Sequence, residues 1–227
     1  MIAIIDYKAG NLRSVELAVR KLGFACRVTH SREEISESER IIFPGVGAAG
    51  KAMADLNHLG LDNVLKKEFK AQKPILGICL GAQIILESSE ENRAQCLGLI
   101  EGAVKLFPQP LVSEENERLK IPHMGWNGVH LREEHPVFKG IAAADEFYFV
   151  HAYYPLPASD NHVIGTTDYG IEFPSVIGCE NLIAMQFHPE KSGPAGLRVL
   201  ENFCTWGGEF QPSLGYRSFA SNGSGAR

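Results

Sequence analysis

The 227-residue chain has no cysteines at C-x-x-C spacing; its five, Cys26, Cys79, Cys96, Cys179 and Cys204, are odd in number and far apart. That excludes a disulfide framework and a zinc ribbon, and fits free thiols in a reducing compartment. Basic clusters and a P-loop are also missing. The 22 Lys and Arg against 27 Asp and Glu give a formal net charge of −5, the wrong sign for a nucleic-acid or anionic-membrane surface. No apolar run approaches the roughly 20 residues needed to cross a bilayer. The longest, Pro74 to Leu86, is interrupted by Gln83. The start, MIAIIDYKAG, lacks a basic n-region and reads as a buried strand, not a signal peptide. These absences predict a cytoplasmic protein with neither nucleic acid nor membrane as partner.

What remains is globular. With 44% apolar and 22% charged residues, the chain can bury a core without metal or disulfide staples. The first half alternates strand and helix signals. Ile2–Ile5 is an apolar run; Asn11 offers an N-cap for a helix whose Leu12, Val15, Ala18, Val19 and Leu22 fall at helical spacing before Gly23. Strands are expected at Phe24–Thr29, Arg40–Phe43 (ended by Pro44-Gly45) and Pro74–Ile78. One helical stretch runs through Leu65 and Phe69, and another covers Leu80–Glu87. This rhythm predicts an α/β fold, a mostly parallel central sheet with helices on both faces.

The second half predicts a smaller antiparallel or mixed portion on the same core. Its expected strands are Val104–Phe107, Lys120–Ile121, Val129–Leu131, Phe147–Val150, Val163–Thr167 and Leu182–Gln186, before a helix at about Ala195–Phe203. A single domain over residues 1–206 is expected, then a mobile Gly- and Ser-rich tail over 207–227.

Chemistry concentrates in Gly77-Ile78-Cys79-Leu80-Gly81, between a strand and a helix. This is the G-x-nucleophile-x-G spacing of a nucleophile elbow, with sulfur as the nucleophile. The turn would lift Cys79 above the carboxyl end of the sheet, and N–H groups at the helix start favour a thiolate. On this stretch alone, Cys79 as a small buried apolar residue stays open. A base and its orienter are available in Gln186-Phe187-His188-Pro189-Glu190: in extended backbone His188 and Glu190 share a face. Oxyanion donors are expected from the Leu80 N–H and from Val46 and Gly47 in the loop Pro44-Gly45-Val46-Gly47. The run Gly45 to Gly50 also satisfies G-x-G-x-x-G. Pro44 before it, and the absence of an acidic residue at a strand end about 20 positions on, argue against a dinucleotide.

G-I-C-L-G-A-Q with F-H-P-E is similar to the triad motifs of class I glutamine amidotransferases, and the resemblance runs from Asp6 to about Trp206. Pro44-Gly45-Val46-Gly47, Pro122-His123-Met124-Gly125-Trp126-Asn127, Tyr148 to Tyr154 and His188-Pro189-Glu190-Lys191-Ser192 together resemble one branch, the glutaminase subunits of imidazole glycerol phosphate synthase. The resemblance implies that Cys79 attacks glutamine, that His188 protonates departing ammonia with Glu190 behind it, and that no cofactor or metal takes part. It implies that Gln83, with backbone around His151, Ala152 and Tyr153, holds the substrate's amino-acid end. It also implies a heterodimer with a (β/α)8-barrel cyclase that receives the ammonia, with Tyr148, Lys191 and Trp126 at that interface. The sequence departs from the branch at Ala82, where Met is commoner, and at Lys8-Ala9, which replaces a Gly-containing pair. Another barrel partner, such as an enzyme aminating a surface sugar, and a non-catalytic binding module are the competing readings.

Overall fold

Short segments that are apolar at every position build the centre of the protein, as strands covered on both faces require. In the computed structural model, which describes residues 1–8, 10–113 and 115–210, β1 (Ile2–Ile5) leads to α1 (Leu12–Lys21), β2 (Cys26–Thr29) and α2 (Arg32–Glu37). Then come β3 (Arg40–Gly45), α3 (Ala49–Leu59), α4 (Leu61–Lys70), β4 (Ile75–Cys79) and α5 (Leu80–Ile84). Three strands follow, β5 (Ser88–Ser89), β6 (Ala94–Gln95) and β7 (Gly102–Leu106). The C-terminal half adds β8 (His123–Gly128), β9 (His130–Leu131), β10 (Glu146–His151) and β11 (Tyr153–Pro157). It ends with β12 (Val163–Asp168), β13 (Glu172–Cys179), β14 (Leu182–Met185) and α6 (Gly193–Thr205).

Eight strands form one sheet in the order β2-β1-β3-β4-β14-β13-β12-β9. Neighbours from β2 to β14 are parallel, and those from β14 to β9 antiparallel. A mixed sheet, β11-β7-β5-β6, and an antiparallel pair, β10-β8, complete the α/β architecture the sequence predicts. The period of two in β1 divides the core. Ile2 and Ile4 join Val15 and Val19 of α1 and Val199 and Phe203 of α6, whereas Ala3 and Ile5 join Ile35, Leu56 and Leu65 from α2, α3 and α4. Each of the Val, Leu, Ile and Phe side chains among them contributes about 1.5–3 kcal/mol by its burial. The two layers together fix the strand ends that carry the site.

Several boundaries differ from the sequence expectation. β3 continues through Pro44 and Gly45, which pair with Ile78 and Cys79 of β4. Pairing of β3 with β1 stops at Ile42, so no ladder partner is denied by the missing N–H of Pro44. The helical stretch through Phe69 is two helices, broken at Gly60 in a left-handed conformation with φ 65°. The helix after Cys79 ends at Ile84 rather than at Glu87. Lys120–Ile121 is not a strand; pairing starts at His123, past Pro122. β11 and the eight-residue β13 were not expected; Pro155, Pro157, Pro174 and Gly178 break up their period-two patterning. Pro174 is paired only with Thr166 of β12, since β14 joins from Val176 onward. Residues 207–210 bring Phe210 into a buried position 4.5 Å from the His135 ring. The rest of the expected tail, 211–227, lies outside the described residues, as does Ala9. Among the described residues no helix is long and apolar enough to cross a membrane.

Candidate active site

Three adjacent parallel strands end together. The carboxyl ends of β3, β4 and β14 supply Gly45, Cys79 and the chain leading to His188; Gly45 lies opposite Cys79 and Met185 opposite Ile78. Sheet order thus brings positions 79 and 188 to one edge, the place where open α/β folds build their sites. Cys79 closes β4 with φ 53° and ψ −107°, a backbone conformation that costs a non-glycine residue on the order of 1–3 kcal/mol. Such strain persists because the surroundings hold it. Two residues on, a Cβ at Gly81 would lie 1.9 Å from the Phe43 carbonyl oxygen, so only glycine lets the turn seat against β3.

His188 Nδ1 is 2.8 Å from Glu190 Oε1, and both side chains are buried. The extended backbone expected here does not continue past His188. Pro189–Lys191 forms a turn of 3-10 helix, and this turn brings the carboxylate to the ring. The turn is tied down by the Ser192 hydroxyl, which donates to the His188 carbonyl at 2.6 Å and accepts from Tyr148 N at 2.9 Å. His188 N donates to the Tyr148 carbonyl at 2.9 Å, so β10 carries the turn. Asn11 occupies the N-cap position of α1 but makes no capping bond with its side chain; Nδ2 donates to Glu190 Oε1. The sequence offered Asn11 only as a cap.

Burial alone would push the His188 imidazole down. The proximity of the Cys79 sulfur and the Glu190 carboxylate outweighs it, and the pKa rises to about 9. Nε2 is buried without a hydrogen-bond partner. A positively charged ring in contact with a carboxylate on one nitrogen, with the other nitrogen unspent, is equipped to exchange a proton with a thiol.

Cys79 opens onto a cavity of about 350 Å³. Val46, Gly47, Leu80, Gln83, His151, Ala152 and Tyr153 line it together with Cys79, while the side chains of His188 and Glu190 are buried outside the lining. Gln83 Nε2 donates to the Tyr153 carbonyl at 2.9 Å and to Gln186 Oε1 at 3.0 Å, which spends both amide hydrogens and leaves Oε1 for a ligand. Besides Asn11, two residues at this site were missed from the sequence. Gln186, fully buried on the way from β14 to His188, places Nε2 3.7 Å from the Cys79 sulfur. Glu91 lines the cavity and accepts from Ala49 N at 2.7 Å. No spacing signal links Glu91 to Cys79, because a separate strand and turn deliver it.

Trp126 and Tyr148 lie opposite each other on β8 and β10, their rings 6.1 Å apart, and Lys191 is exposed at the end of the His188 turn. Trp126 and Met124 are 53% and 61% exposed, an apolar patch on one face of β8.

The glutamine amidotransferase class-I family model matches residues 3–206. The chain is 49% identical over 203 residues to the imidazole glycerol phosphate synthase subunit HisH of Maridesulfovibrio salexigens, covering 89% of this chain and 95% of that protein. It is 46% identical over 204 residues to the HisH subunit of Dehalococcoides mccartyi, covering 89% and 96% respectively. PurLQS from Thermotoga maritima superposes with a TM-score of 0.67 at 17% identity, over 89% of this chain and 96% of that one, a likeness of fold. With the whole site-bearing part of the chain matched, the protein belongs to the class-I glutamine amidotransferases, in the branch of the HisH subunits.

Proposed function

We propose that this chain is the glutaminase subunit of an imidazole glycerol phosphate synthase, hydrolysing glutamine to glutamate and ammonia for histidine biosynthesis in the cytoplasm. The observation that carries the reading is Cys79 at a strained elbow beside a buried His188–Glu190 pair. The Cys79 thiolate attacks the side-chain amide carbon. The oxyanion is met by the Leu80 N–H and by N–H groups of the Val46-Gly47 loop, and its collapse expels ammonia, which takes its proton from His188. A glutamyl thioester remains. Water, its proton accepted by His188, attacks the thioester and releases glutamate and the thiolate. Gln83 Oε1 and the Glu91 carboxylate suit the substrate's ammonium group, and backbone N–H groups around Ala152 and Tyr153 suit its carboxylate. Among the described residues the cavity lining has no lysine or arginine, so it suits glutamine rather than a phosphorylated substrate.

A phosphorylated ribonucleotide therefore belongs on a (β/α)8-barrel cyclase, to which the ammonia is channelled and whose lyase step it feeds. The Met124–Trp126 patch with Tyr148 and Lys191 supports that docking face, since a contiguous exposed apolar patch marks an interaction site. Glutamate release should be low for the chain alone and rise when the barrel partner and its nucleotide are added. A rate indifferent to the partner would contradict the subunit reading. Lys191→Ala should weaken the complex by about tenfold, the loss of one charged contact, with Tm unchanged, as measured by titration calorimetry. Unaltered affinity and ammonia transfer would remove Lys191 from the interface.

A further inference from the structure

A row of hydrogen bonds behind the cavity fixes the protonation of two buried histidines. The register of β8 with β10 sets His123 opposite His151, and His123 Nδ1 lies 3.1 Å from His151 Nε2. His151 Nδ1 is 2.8 Å from the Tyr153 carbonyl oxygen, which can only accept, so that nitrogen carries the hydrogen. Burial pushes the His151 pKa down to about 3 and the His123 pKa to about 4, and both rings are neutral. His151 Nε2 is then a bare acceptor, and His123 Nδ1 must donate to it. His123 Nε2 is left to accept from Asn127 Nδ2 at 3.4 Å, whose other hydrogen goes to the Asp168 carbonyl at 2.7 Å. Each donor finds an acceptor. The row continues, because the Tyr153 carbonyl that accepts from His151 also accepts from Gln83 Nε2, and Gln83 holds Gln186, the donor to the Cys79 sulfur.

We propose that His123 is a positioning residue for glutamine: its Nδ1–H holds His151 in the one orientation that presents the Tyr153 carbonyl to Gln83, and so aims Gln83 Oε1 into the substrate cavity. His123 touches neither substrate nor sulfur. Its ring is stacked between Tyr169 and Phe149, at 4.0 and 4.8 Å, which explains why a polar ring sits rigidly in a β8–β10 layer. Asn127 and His123 share the inner face of β8, while Met124 and Trp126 share its outer face.

The inference rests on the glutaminase reading, and the test separates the two. His123→Phe keeps the stacked ring and removes the donor, leaving His151 Nε2 buried and unpaired. KM for glutamine should rise about tenfold with kcat within about threefold, since a lost ground-state contact moves KM. His123→Asn places its amide nitrogen where Nδ1 stood, and KM should return to within about threefold of the parent. Equal KM values for the two variants, raised or unraised, overturn the role of the donor. In the unmodified protein, 15N resonances should report Nδ1–H and bare Nε2 for both His123 and His151 between pH 6 and 8; a proton on Nε2 of either ring overturns the proposal without any variant. A parent protein that releases no glutamate would instead defeat the glutaminase reading, whatever the tautomers.

Discussion

Replacement of Cys79 by alanine is expected to lower glutamate release by on the order of 10⁴-fold or more, because the proposed acyl intermediate forms on the Cys79 sulfur. Stability should change little. The side chain lost is one small sulfur that opens onto the cavity, and alanine keeps the Cβ, so the positive φ at position 79 strains parent and variant alike. Cys79→Ser should be nearly as inactive despite its closer shape, since a hydroxyl stays protonated where a thiol ionises. Both variants should bind the proposed barrel partner as the parent does, for Cys79 lines the cavity while Met124, Trp126 and Lys191 are exposed. Residual activity within about tenfold of the parent in Cys79→Ala would mean that another group performs the attack.

Glu190→Gln is expected to slow the reaction by on the order of 10²–10³-fold, less than loss of the nucleophile but far more than loss of a surface charge. The glutamine amide can offer a hydrogen to His188 Nδ1 where the carboxylate only accepts, which favours the wrong imidazole tautomer. The same change alters the pH dependence. Glu190 and the Cys79 sulfur hold the His188 pKa near 9 against the downward push of burial, so the ring is charged at neutral pH in the parent. Activity that needs a protonated His188 therefore falls as pH rises through about 9. Removing the carboxylate's charge lowers that pKa, and the alkaline limb should move to lower pH in Glu190→Gln. The linkage has a matching sign for stability. A histidine whose folded pKa is raised from 6.5 to about 9 contributes fully below pH 6.5, and its contribution is lost as pH climbs through 9. Thermal unfolding between pH 6 and 10 should show this loss in the parent and a smaller one in the variant. An alkaline limb unmoved by Glu190→Gln would separate the carboxylate from the imidazole's titration.

The placement of Cys79, His188 and Glu190 was legible because its information is local. Glycines two residues either side of Cys79 mark an elbow, and His188 and Glu190 are two residues apart, so only their meeting depended on sheet order. Even there the local geometry differed, since a 3-10 turn and not a strand brings Glu190 to the ring. Asn11, Glu91 and Gln186 were invisible as site residues for a common reason. Each is defined by a partner far along the chain: Asn11 by Glu190, Glu91 by the start of α3, Gln186 by Gln83 and Cys79. Asn11 carried the further ambiguity that its residue type caps helices, and local propensity favoured that role. The central parallel strands were legible as unbroken apolar runs. β8 and β13 were not, because glycine and proline at 125, 128, 174 and 178 obscure period-two patterning, and only the ladders beside them show where a missing N–H is harmless.

The proposed attack by the Cys79 sulfur is tested most directly with a glutamine analogue that carries an electrophile in place of the amide, followed by mass mapping of the adduct. One adduct, on Cys79, formed at a rate that excess glutamine suppresses and that Glu190→Gln diminishes, is the result predicted here. Modification of Cys26, Cys96, Cys179 or Cys204 instead, or no covalent product while the chain remains folded, would contradict it.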